Sequence, residues 1–421
     1  MSRLCTAVIL CMAIPGMAQT AVEARVPRIM ELSYADASAL FIKESLPLVA
    51  ASYDVQVAEA DLMQARLWNN PHFNWNQDLY SVERNEYFNQ NNQRLIQIDQ
   101  LFSIAGKHTR SVKLAKINVD LNRLIYQDVR RSLQYELGNL YYSLQGLQES
   151  AELYKMVYEQ FRTLIDAYEV QFRVGAIPGN ELTRLKGELL AIQTEIINNQ
   201  NEANSVMSDL RTLLNLRPEV TISTTEPLRV VSEGSVAYAE LLERARKSRP
   251  DYLLRQREVD YHEMDLKLQR STAVPDVLLG YQPHDKGSNY VRPYTGLVLE
   301  FDLPLFNRNQ GAIQAAKTRI AKAQVEQSYG DMSLENELST SIYQLLNTNR
   351  ALANYSNSFL DELKRTNDRA RENFNNKNIS MLEYIDVQRT YVQTMHEYIA
   401  LKSQSMLNVQ ELNFTVGAEV F

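Results

Sequence analysis

Between residues 133 and 172 the apolar side chains recur in alternating steps of four and three. They are Leu133, Leu137, Leu140, Leu144, Leu147, Ala151, Tyr154, Tyr158, Phe161, Ile165, Tyr168 and Phe172. A heptad seam of about forty residues predicts a helix of roughly 60 Å at 1.5 Å per residue. Gly175, Pro178 and Gly179 interrupt it within residues 173–180. The pattern resumes with Leu182, Leu185, Leu189, Ile192, Ile196, Asn199, Ala203, Val206, Leu210 and Leu213. Two seams joined by a Gly/Pro turn predict an antiparallel helical hairpin. The stripe is narrow, so most of each helix must face water or other chains.

The same plan occurs twice. Leu46-Pro47-Leu48, Ala65-Arg66 and Asn70-Pro71 are echoed by Arg249-Pro250-Asp251, Gln269-Arg270 and Val274-Pro275. Gln100-Leu101-Phe102, Gly106 and Ala115-Lys116 are echoed by Pro304-Leu305-Phe306, Gly311 and Ala316-Lys317. Residues 181–210 with Asn215 parallel residues 383–412 with Gly417. The common offset points to a duplicated unit. It divides the chain into a first repeat at residues 19–216, a linker at 217–234 with little regular structure, and a second repeat at 235–421. In the second hairpin Leu338, Ile342, Leu345, Leu352, Phe359 and Leu363 hold the seam, interrupted at Asn349 and Ser356. It continues through Tyr391, Tyr398, Leu401 and Leu412 after a turn near residues 375–378. The long helices are expected to begin near Gly106 and Gly311, each approaching 100 Å.

Four short segments have period two instead. In residues 72–80, Phe73, Trp75 and Leu79 alternate with Asn74, Asn76 and Asp78; in 95–102, Ile96 and Ile98 alternate with Gln97 and Asp99. Val277, Leu279 and Tyr281 share a face in 276–282, and Leu297, Leu299, Phe301 and Leu303 alternate with Val298, Glu300 and Asp302 in 296–303. Such alternation marks membrane β-barrel strands. A barrel needs at least eight strands, so four per chain imply that several chains pool them. Asp78, Asp99, Glu300 and Asp302 lie opposite the apolar positions and would face the lumen. A charge turned to lipid would cost roughly 2–4 kcal/mol at the midplane; in the lumen it favours cations. A soluble sheet with one wet face is the competing reading.

The N-terminus has Arg3, the apolar run 4–14, Pro15-Gly16 and a small-residue exit at Ala18, the pattern of a secretory signal over residues 1–18. Both cysteines, Cys5 and Cys11, fall inside it, so the mature chain is expected to have neither disulfide nor thiol metal site. Beyond it no apolar run reaches about 18 residues, so no transmembrane helix is expected. The net charge of −7 argues against nucleic acid. Gly106-Lys107-His108-Thr109 resembles the end of a phosphate loop, but Leu101 stands where its first glycine belongs. His262-Glu263 lacks the second histidine of a zinc motif. The five histidines, His72, His108, His262, His284 and His396, are scattered. No cofactor, resident metal or enzyme activity is expected.

Glu383 and Asp386 lie one helical turn apart and could form an acidic constriction in a ring of chains. Ser380 with Glu383 equally makes a capping box, in which the carboxylate satisfies the helix's own N–H groups. Glu181, the counterpart in the first repeat, follows Asn180, which reads as an N-cap. Both alternatives stay open at this level.

Leu32-Ser33, Leu46-Pro47-Leu48, residues 58–66, Asn70-Pro71, Arg249-Pro250-Asp251, Pro304-Leu305-Phe306, Gly311 and residues 382–389 together resemble the TolC family of outer-membrane efflux proteins. Gln100, Gly106-Lys107 and Arg110 resemble its CzcC/CusC-like heavy-metal branch. The resemblance implies a mainly α chain with a membrane β-barrel portion, forming a homotrimer. That trimer would have a twelve-stranded shared barrel set in outer-membrane lipid and a periplasmic helical tunnel. It implies the outer-membrane channel of a tripartite efflux system, a passive duct for small substrates, including divalent metal cations. Its partners would be a periplasmic adaptor and an inner-membrane pump of RND type. Glu383, Asp386 and Glu181 would be gate residues. Val174-Gly175 would contact the adaptor; Asn376-Lys377 in the second turn departs from the family's Val-Gly pair. Phe374 stands where drug exporters often have tyrosine. A polypeptide-secreting channel and a soluble periplasmic coiled-coil adaptor are the alternatives.

Overall fold

The computed structural model describes residues 28–82, 85–87, 94–229, 237–285 and 294–420. The signal at residues 1–18 lies outside the described residues. In chain order the first half contains β1 (Arg28–Leu32), α1 (Tyr34–Glu44), α2 (Leu46–Ala65), β2 (His72–Gln77), β3 (Tyr80–Ser81), β4 (Glu86–Tyr87), β5 (Arg94–Phe102), α3 (Lys107–Arg173) and α4 (Gly179–Leu213). The second half contains β6 (Val220–Thr224), α5 (Tyr238–Ser248), α6 (Pro250–Thr272), β7 (Val277–Asp285), β8 (Tyr294–Glu300), α7 (Gln310–Ala353), α8 (Asn357–Asn375) and α9 (Met381–Val416). A strand, two helices, two longer strands and a helical hairpin thus follow one another twice.

The duplication reaches the backbone at the helix ends. Gly106 and Asn309 precede α3 and α7, and both are left-handed, with φ of 71° and 57°. Asn215 and Gly417 end α4 and α9, again left-handed, at 54° and 72°. Leu216 N–H donates to Arg211 C=O, and Ala418 N–H to Asn413 C=O. These are the same six-to-one closures at the two helix termini.

Helix α3 runs unbroken for 67 residues, about 100 Å at 1.5 Å per residue. The expected equal in the second half is divided. Between α7, of 44 residues, and α8, of 19, Ser356 takes extended backbone and accepts from Phe359 N–H at 3.2 Å. A serine hydroxyl captures free N–H groups and starts a new helix there. Tyr355, at the break, stacks on Tyr398 of α9 with ring centroids 5.5 Å apart.

The stretch expected to be an irregular linker holds β6, which pairs in parallel with β1 from Arg28↔Val220 to Leu32↔Thr224. This small sheet covers a core of Phe41, Leu137, Tyr141, Leu144, Leu210 and Ile222. A second core lies toward the hairpin turns, among α3, α4, α8 and α9. The main sheet is antiparallel in the order β2-β5-β7-β8. The helices continue that order: α2 packs on α3, α3 on α6, and α6 on α7. Further along, α3 carries α4 on one side and α9 on the other, and α9 meets α7 and α8. Among the described residues, sheet and helical layer are both open-ended, with edges at β2/α2 and β8/α7.

Candidate functional site

The sheet has one mainly apolar face and one richer in polar residues. Its register puts Phe73, Trp75, Ile96, Ile98, Leu279, Tyr281, Leu297 and Leu299 on one side, the expected apolar face. Trp75, Leu297 and Leu299 are 63%, 87% and 63% exposed, so among the described residues nothing covers them. The other face carries His72, Asn74, Asn76, Gln97, Asp99, Gln282 and Glu300, with Gly280 and Gly296 between them; Leu95, Leu101, Leu278 and Val298 share it. Of the four acids read as lumen groups, Asp99 and Glu300 lie on strands of this face. Asp78 follows the end of β2, and Asp302 lies beyond the end of β8, where the alternation had predicted longer strands. Asp99 is buried, and its Oδ1 accepts from Gln97 Nε2 at 2.6 Å.

The hairpin turns lie at the opposite end of α3. In the first, Gly175 is left-handed, Gly175 N–H donates to Phe172 C=O, and Ala176 N–H donates to Gln171 C=O at 2.9 Å. In the second, Lys377 takes the same conformation, with φ of 60°; its N–H donates to Phe374 C=O, and Asn378 N–H donates to Asn373 C=O at 2.8 Å. The missing Val-Gly pair therefore leaves the turn's backbone unchanged: Asn376 and Lys377 occupy the places of Val174 and Gly175.

Glu383 is three residues into α9 and closes a capping box. Its Oε2 accepts from Ser380 N–H at 2.7 Å and from the Ser380 hydroxyl at 2.8 Å, while Ser380 Oγ accepts from Glu383 N–H. These bonds, the backbone one first, hold its carboxyl below the usual range. Asp386 is exposed one turn on. Glu181 is half-buried, and its N–H donates to Pro178 C=O. Pro178, not Asn180, is the N-cap of α4, because the helix begins at Gly179.

Two features near the tips were not legible in the chain. Phe374 stacks between Tyr168 and Tyr384, at centroid distances of 5.7 and 4.6 Å, and Tyr384 also meets Phe161. Arg389, one turn beyond Asp386, reaches Glu188 of α4, with Nε 2.9 Å from Oε2. Arg389 sits at i+3 from Asp386, which suggests a local pair; only the packing of α4 near α9 reveals the other partner. Among the described residues no group of three or more His, Cys, Asp or Glu could hold a metal ion. No described helix is long and apolar enough to cross a membrane.

A family profile described as Outer membrane efflux protein matches residues 39–216 and again 241–418. The chain belongs to the outer membrane efflux protein family. Its two matches each take in one helical hairpin and most of one half of the chain. The cobalt-zinc-cadmium resistance protein CzcC of Cupriavidus metallidurans is 22% identical over 361 residues, which cover 85% of this chain and 83% of that protein. The crystal structure of CusC superposes with a TM-score of 0.73 at 16% identity, covering 92% of each chain. The CmeC outer membrane channel of Campylobacter jejuni superposes at 0.76 and 14% identity, covering 91% of this chain and 85% of that one. At such identities the superpositions speak for the fold. The family match makes this an outer-membrane efflux channel, and the fold is the one those channels have.

Proposed function

We propose that three copies of this chain form a passive export duct for divalent metal cations, with a twelve-stranded barrel in the outer membrane and a helical tunnel below it. The observation that carries this reading is the coincidence of open edges. With three successive antiparallel pairings, β2 and β8 run in opposite directions, so β8 of one copy can pair antiparallel with β2 of the next. Directly below, the same two edges carry exposed apolar stripes: Tyr53 and Val57 on α2, and Val325, Tyr329 and Met332 on α7. An edge strand beside exposed apolar helices is a liability that closure removes.

In this arrangement the apolar sheet face meets lipid and the polar face lines the lumen. Asp78, Asp99, Glu300 and Asp302 bias the passage toward cations. Glu383, Asp386 and Glu181 ring the narrow periplasmic end. The turns at Val174-Gly175 and Asn376-Lys377 dock a periplasmic adaptor, which connects the duct to an inner-membrane pump of RND type. The likeness to a cobalt-zinc-cadmium resistance protein supports metal ions as cargo.

The test is to extract the protein from outer membranes, count its protomers by cross-linking, and record conductance in planar bilayers. Trimers with cation-selective conductance are expected. Glu383→Ala combined with Asp386→Ala should raise the resting conductance. If conductance is unchanged while the melting temperature falls, Glu383 is a helix cap and not a gate.

A further inference from the structure

At the helix-proximal end of the polar sheet face, a histidine and a buried carboxylate stand side by side. His72 is the first residue of β2 and the cross-strand partner of Asp99 on β5. Its Nδ1 is 3.7 Å from Asp99 Oδ2, beyond hydrogen-bond length. The imidazole is 73% exposed and the carboxylate 8%. Asp99 is held from behind. Gln97 Nε2 donates to its Oδ1 at 2.6 Å, and Gln282 Nε2 donates to Gln97 Oε1 at 2.7 Å. Gly280, opposite Asp99 on β7, leaves room for the carboxylate; a Cβ there would stand 2.4 Å from Oδ1. One carboxylate oxygen is thus fixed by a two-amide chain, and the other is left facing the imidazole.

We propose that His72 and Asp99 form a transient binding site for a divalent transition-metal cation in the path of the exported solute, completed in the assembly by Glu300 of the adjoining copy. The proposal rests on the shared-barrel reading above. Two ligands each ~2.1 Å from a tetrahedral ion stand about 3.4 Å apart, so this pair closes on a metal with a small adjustment. Imidazole with carboxylates, and no thiolate, suits zinc- or cobalt-like ions better than soft copper(I) or hard magnesium. The Gln282–Gln97–Asp99 chain is the kind of outer support that orients a metal ligand. Glu300 closes β8 at the same end of the same face. It sits on the far edge of its own sheet and reaches a His72 only across the seam between copies. A site with few ligands and an exposed imidazole releases its ion readily, as a conduit requires.

Tag-free protein, purified in detergent, is titrated with Co²⁺, and the visible band of nitrogen- and oxygen-ligated cobalt is followed. Wild type should develop that band and lose it to Zn²⁺. His72→Gln should abolish it, Asp99→Asn should weaken binding at least tenfold, and Gln97→Ala should weaken it roughly tenfold. Circular dichroism and protomer number should stay unchanged in all three. Glu300→Gln should weaken binding in the trimer. Cobalt binding that is absent, or indifferent to His72→Gln and Asp99→Asn, overturns the site. If the protein then still forms a cation-selective pore, the duct reading stands without it. Binding lost with His72→Gln in a protein that stays monomeric would keep the His72–Asp99 pair and remove the duct reading together with the role of Glu300.

Discussion

Single residues carry much of the geometry at the two hairpin turns. Gly175 reaches the left-handed region freely, whereas Lys377 does so against its own Cβ. The strain is worth about 1 kcal/mol. Gly175→Lys should therefore lower thermal stability by about that amount, while Lys377→Gly should leave it unchanged or raise it. The motif Arg249-Pro250-Asp251 is likewise explained at this scale. Arg249 is buried, with Nε 2.8 Å from Asp251 and a second nitrogen 2.6 Å from Glu337; Arg131 reaches Asp251 at 3.0 Å. Burial alone would push the Asp251 carboxyl up, but the Arg249 hydrogen bond and the nearby arginine charges hold it below its usual value. Its folded value lies below the unfolded one. Its contribution to stability is thus present above about pH 4 and is lost as pH falls through the folded value. Arg249→Ala should cost about 3 kcal/mol at pH 7 and less at pH 3, measured by denaturant unfolding at both.

At the scale of elements, the division of the second long helix separates the two halves of the chain. Ser356 was visible as an interruption of the heptad seam, yet an interrupted seam alone does not end a helix. What ends it is a hydroxyl free to cap Phe359 together with a stacking partner, Tyr398, for Tyr355. Ser356→Ala should cost about 1 kcal/mol, read by thermal unfolding. The hairpin helices were legible because a 3.5-residue period repeated over ten turns is a strong local signal. The strands were legible as elements but not to their ends, so Asp78 and Asp302 fall outside β2 and β8. Strand β6 was not legible at all. Val220 and Ile222 do alternate with Thr221 and Ser223, but five residues amid threonine, glutamate and proline are a short signal, and the partner β1 is remote in sequence.

For the whole molecule, the decisive property is incompleteness: one chain leaves two strand edges and two apolar helix stripes uncovered. Val325 and Tyr329 are 69% and 65% exposed, so Val325→Glu with Tyr329→Glu should leave the protomer's helicity intact and prevent trimer formation. Light scattering in detergent would show it; persistent trimers would place the seam elsewhere. The amino-acid sequence alone determined the helices, the turns between them, the alternating strands and the duplication, because each depends on residues near one another in the chain. Only the tertiary structure decided that β1 joins β6, that Arg389 reaches Glu188 instead of Asp386, and that His72 stands beside Asp99. Those pairings come from side-chain fit between remote segments, and no local period records them.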